Sequence, residues 1–126
     1  MQVEYWVKSA ENDLETAESL IKEKKFDWAL FMGHQVLEKI LKAIYVECKR
    51  TFPPKTHDLI LLLKEMNLHI GDTELDFFAE VNTFNISPGS SDDQFKINKL
   101  FTKEFSLAKF KEIQRKYQWL KEKLKK

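Results

Sequence analysis

The sequence predicts an all-α chain: an antiparallel, up-and-down helical bundle of four to five helices, in one domain spanning residues 1–126. Three observations predict it. Helix breakers cluster at Pro53-Pro54, at Gly71 and at Pro88-Gly89, and only Gly33 lies outside these breaks. The stretches between them are rich in Leu, Lys, Glu and Ala, which favour helix. Apolar residues recur at steps of three and four, and no stretch alternates with the period of two that a strand needs.

Each element follows from that spacing. Over about residues 3–23, Val3, Val7, Ala10, Leu14, Ala17 and Ile21 form one stripe, widened by Trp6 and Leu20. A second helix is read over 28–48, with Asp27 as its cap and Phe26 packing on Phe31 as a hydrophobic staple. Its apolar set, Ala29, Leu30, Val36, Leu37, Ile40, Leu41, Ile44, Tyr45 and Cys48, covers more than one face. Such a helix is either central in the bundle or also buried against another chain. Gly33 inside it costs roughly 0.5–1 kcal/mol relative to alanine, which a close helix–helix approach would explain. Thr56 is read as the cap of a third helix carrying Leu59, Ile60, Leu62, Leu63 and Met66. After Gly71-Asp72 a fourth carries Leu75, Phe78, Ala79 and Val81. Residues 85–93 read as a polar loop. The last helix runs from a Thr102 cap to Leu124, with Phe105, Ala108, Ile113, Tyr117, Leu120 and Leu124 as its stripe.

Composition excludes several classes. A chain of 126 residues can bury enough surface to fold without disulfides or a structural metal. The single Cys48 rules out an internal disulfide and a thiolate zinc site, and its apolar neighbourhood predicts a buried thiol. His34 and His69 read as ordinary polar contacts, with no metal-site spacing around them. No phosphate-cradling glycine loop or nucleophile elbow occurs, so no cofactor and no metal is implied. The polar N-terminus is not a signal peptide, and no apolar run approaches the roughly 20 residues of a membrane span. The reading is therefore cytoplasmic, with no membrane partner.

Charge is uneven. Residues 1–93 carry ten Lys/Arg against seventeen Asp/Glu, net −7; residues 94–126 carry eleven against three, net +8. A basic last helix offers a surface for RNA or a nucleotide, or simply suits the negative end of a helix. Arginine, the usual bidentate phosphate ligand, occurs only at Arg50 and Arg115.

Trp6, Ala10, Asp13-Leu14 and Ala17, then Phe26-Asp27 and Ala29, then Gln35-Val36-Leu37-Glu38-Lys39 with Leu41-Lys42-Ala43, follow one another as in a known family. His57-Asp58-Leu59 with Leu62-Leu63 continues the pattern, and Phe101-Thr102-Lys103-Glu104, Ala108 and Trp119 close it. On these residues the chain resembles the HEPN domain family, most specifically over 35–43. The resemblance implies an antiparallel bundle that homodimerises and is encoded beside a minimal nucleotidyltransferase, as a two-component or toxin–antitoxin pair. It makes Gln35, Glu38, Lys39 and Lys42 candidates for a binding or dimer interface. Some members are metal-independent ribonucleases in which an Arg and a His, four to six residues apart, converge across the dimer. Where many relatives carry an Arg-Tyr-Pro-like segment, this chain reads Thr83-Phe84-Asn85-Ile86-Ser87-Pro88-Gly89, with no Arg. The remaining formal match is Arg50 with His57, the candidate catalytic pair: Arg to hold a phosphate, His to move a proton. The alternative for His57 is a structural place at the start of the third helix.

The expected function is thus a non-catalytic module that binds itself and a nucleotidyltransferase. A ribonuclease, and RNA or nucleotide binding without catalysis, are the alternatives.

Overall fold

The computed structural model describes residues 2–85 and 101–124, and within them the chain forms five helices: α1 (Val3–Lys22), α2 (Phe26–Lys49), α3 (Leu59–Glu65), α4 (Asp72–Asn82) and α5 (Lys103–Lys121). No strand occurs among the described residues. Most of the loop read at 85–93 lies outside them. No described helix is long and apolar enough to cross a membrane.

α2 is the axis of the bundle. More than half of its residues are buried, because it packs on α1, α3 and α5. That central position accounts for the apolar residues on more than one of its faces, without a second chain. α1 lies antiparallel to it: Asp13 meets Lys39 and Trp6 meets Lys42. Ala10 and Ala17, both fully buried, let the two backbones approach. α5 runs antiparallel to α1, with Glu11 opposite Lys121 and Glu18 opposite Gln114, and antiparallel to α4, with Glu74 opposite Lys116 and Glu80 opposite Lys109. α2 and α5 therefore run the same way. At their closest approach, a Cβ added to Gly33 would stand 2.8 Å from Ile113 Cδ1. The expected reason for Gly33 holds.

The ends of the helices depart from the expectation in instructive ways. α2 starts at Phe26, and Asp27 sits inside its first turn, where its carboxylate accepts from Trp28 N–H at 2.8 Å. Phe31 meets the edge of Trp28 at 6.1 Å, which takes the place expected for Phe26. Thr56 does not cap α3: Asp58 does, accepting from the N–H groups of Ile60 and Leu61. Thr56 instead accepts from Asp58 N–H. Thr102 caps α5 as expected, accepting from Phe105 N–H at 3.2 Å. On α4 and α5 the inner faces hold Phe77 and Phe110, while Ala79 and Ala108 face outward. Both alanines are small enough to suit either side.

Cys48 is exposed, not buried. It lies in the last turn of α2, beyond Val46, the last residue of that helix that the bundle buries.

Part of the charge asymmetry is settled inside the chain. Lys109, Lys116 and Lys121 of α5 pair with Glu80, Glu74 and Glu11. Burial opposes the charge on Lys109, but bonds to Glu80 and Glu112 outweigh it and hold its pKa above the ordinary lysine value.

Candidate functional site

The residues at 34, 38 and 42 of α2 stand one helical turn apart on one face, and all three are buried polar groups: His34, Glu38 and Lys42. An ionised carboxylate there is costly unless it is paired and hydrogen-bonded. Glu38, 3% exposed, is both. One oxygen accepts from Lys42 Nζ at 2.9 Å, the other from His57 Nδ1 at 2.8 Å. Lys42 Nζ also lies 5.4 Å from the centroid of the Trp6 ring, a second favourable contact for a buried cation.

His34 completes the cluster. Its Nε2 donates to the His57 carbonyl at 2.8 Å, which fixes the tautomer, since a carbonyl only accepts. Its Nδ1 lies 3.9 Å from the same Glu38 oxygen that holds His57. Burial lowers the His34 pKa, and the Glu38 charge opposes that shift without cancelling it. The folded chain keeps His34 neutral at a pH where an unfolded histidine, near 6.5, takes up a proton. The unfolded state then binds the extra proton, so stability falls as pH drops through that value. A urea midpoint lower at about pH 5 than at about 7.5, with a smaller difference in His34→Gln, is the expected result. Equal differences in both proteins would place the effect elsewhere.

The segment that leads from α2 to α3 is pinned by these bonds. Arg50 caps the C-terminus of α2 in the left-handed conformation, φ 57°, and its N–H donates to Val46 C=O. The chain then turns back along α2 until His57 reaches Glu38 and His34. Arg50 is twelve residues beyond Glu38 on the same helix, about 18 Å along its axis at ~1.5 Å per residue. The structure therefore does not bring Arg50 and His57 together within one chain. Arg50 lines a depression of about 190 Å³ with Gln2, Val46, Thr51 and Phe52. The His57 side chain is 65% exposed, with its Nδ1 turned to Glu38. His57 is not a cap, because Asp58 does that work.

The four residues expected at an interface are all engaged within the chain. Glu38 and Lys42 are buried against each other, which corrects their expected place at a surface: a carboxylate so enclosed has no face left for a partner. Lys39 pairs with Asp13 of α1 at 2.6 Å. Gln35 donates to Asn85 at 3.4 Å. The run 35–43 thus joins α2 to α1, to the His57 segment and to the end of α4.

Sequence reasoning read His34 as an ordinary polar contact, which its bond to His57 is, without placing it beside Glu38, and missed one member altogether. Asn82 carried no signal; it donates to Asp58 at 2.9 Å and accepts from Leu59 N–H at 3.0 Å, tying the start of α3 to the end of α4. No group of three or more His, Cys, Asp or Glu suited to a metal occurs among the described residues, and His69 is exposed.

The comparisons with known proteins agree with this architecture. The crystal structure of TT1696 from Thermus thermophilus matches with a TM-score of 0.78 at 17% sequence identity, covering 98% of each chain. At that identity the likeness speaks for the fold. No match among curated proteins was found. The sequence matches the HEPN domain over residues 3–123, and the chain belongs to that family.

Proposed function

We propose that this HEPN chain is a non-catalytic helical module, homodimeric and paired with a minimal nucleotidyltransferase in a two-component or toxin–antitoxin arrangement. One observation supports this most. The polar residues that mark the family turn inward and bond within the chain, while large apolar side chains stand outside: Tyr5 is 61% exposed and Phe52 73%, with Trp28 and Leu61 also exposed. Buried ion pairs brace a scaffold; exposed aromatics are the groups that carry binding energy at protein interfaces. Co-expression with the neighbouring nucleotidyltransferase is expected to give a complex that survives gel filtration at micromolar concentration. Separate elution of the two proteins overturns the reading.

A second reading, a metal-independent ribonuclease, has the His57–Glu38 bond in its favour, since a carboxylate that orients an exposed imidazole suits a general base. The distance from Arg50 then requires the two residues to come from facing protomers. Cleavage of a mixed RNA in EDTA, lost in both His57→Ala and Arg50→Ala, would establish it. No cleavage by the wild type leaves the binding module. Binding of RNA or a nucleotide without catalysis, through α5, has less in its favour, because that helix spends three of its lysines on pairs within the chain.

A further inference from the structure

We propose that the corner at residues 49–55 is a docking site for an acidic peptide segment that carries one bulky apolar side chain. The proposal rests on the reading above that the chain works by binding protein, and it names where and what it binds.

The corner is preorganised. Val46 and the residues that follow α2 form a depression with Gln2, the residue before α1. Phe52 stands beside it, 73% exposed. This ring is not simply on a loose loop. Pro53 and Pro54 fix their own φ angles, and a residue before proline is held extended. On one side Arg50 N–H is bound to Val46 C=O; on the other Thr56 N–H donates to Pro54 C=O at 3.0 Å. An exposed aromatic held in place at a depression loses little entropy when it is covered.

The rim chooses the partner. Arg50, which lines the depression, and its neighbour Lys49 are both exposed, and neither has an ion-pair partner among the described residues. Glu47, two residues before Lys49, is half-buried and already engaged. Two unpaired cations on consecutive residues beside the depression favour an acidic partner. The depression, at about 190 Å³, suits one leucine- or phenylalanine-sized side chain set against Val46 and Phe52. Gln2, Arg50 and Thr51 could meet the edge of a nucleobase, but a nucleotide also brings a phosphate, for which only one Arg lines the depression; the oligouridine comparison below decides between the two.

The test is a titration of the ¹⁵N-labelled full chain, at low salt, with a short acidic peptide centred on a leucine–phenylalanine pair. The same peptide with alanine at both positions and a short oligouridine serve as comparisons. Amide shifts are expected at Gln2, Val46, Arg50, Thr51 and Phe52. Loss of the anchor contact should weaken binding about tenfold or more, both in Phe52→Ala and with the alanine peptide. Lys49→Glu/Arg50→Glu should weaken it as well, and added salt should do the same. These residues are exposed, so the variants should keep the wild-type spectrum elsewhere. The proposal is overturned if no shift occurs up to about 1 mM peptide, if the shifts lie elsewhere, or if the alanine peptide binds equally. It is also overturned if oligouridine binds at the corner and the peptide does not. A nucleotidyltransferase complex that forms undiminished with Phe52→Ala removes this site and leaves the partner reading standing. Peptide binding without any such complex does the reverse.

Discussion

Replacing Glu38 with alanine is expected to destabilise the chain by about 3–5 kcal/mol, the range for removing one partner of a buried ion pair. The loss comes from what stays behind. The Lys42 and Glu38 side chains are 8% and 5% exposed, so alanine would leave an ammonium group enclosed with only the Trp6 ring for company. His57, largely in water, would find other partners and adds little. The double variant Glu38→Leu/Lys42→Met should recover most of the loss, because an apolar pair of similar volume often replaces a buried ion pair at little cost. Urea denaturation of both variants measures this. A single-variant loss below about 1 kcal/mol would mean that Lys42 reaches water once its partner is gone.

Gly33→Leu is expected to cost about 3 kcal/mol, at the upper end for overpacking a filled core. The added side chain would project onto Ile113, which is fully buried and already within 2.8 Å of where the first added carbon would sit. Gly33→Ala should differ little from wild type. It gains about 0.5–1 kcal/mol of helix propensity, and the atom it meets is the far end of a side chain that can turn. Thermal or urea unfolding of the two variants separates them. A Gly33→Leu protein as stable as Gly33→Ala would show that the α2–α5 seam is loose, and Ile113→Ala should rescue Gly33→Leu if it is tight.

The helices were legible because their signals are local. The stripe Val3, Val7, Ala10, Leu14, Ala17 and Ile21 determines α1 to within a residue of its end, and Thr102 caps α5 where a threonine before a polar first turn should. The close approach at Gly33 was also legible, since a glycine inside a helix needs a reason. Caps that compete within a few residues were not. Thr56 and Asp58 both suit an N-cap, and the choice fell to Asp58 because Asn82, from another helix, binds the same carboxylate.

What the sequence determined by itself is therefore the class of fold, the order of its helices and the family signature at 35–43. Periodicity, breakers and residue types act over a turn or two and need no knowledge of neighbours. What only the tertiary structure decided is which way the polar residues of that signature face and which candidates meet. Glu38 is inside because α2 is covered on all sides at that level. Cys48 is outside because it lies in the last turn of α2, beyond Val46, the last residue of that helix that the bundle buries. Arg50 and His57, seven positions apart in sequence, are parted because the chain between them runs back along a helix whose length sets their separation. Those are consequences of register between elements distant in sequence, and no local pattern carries them.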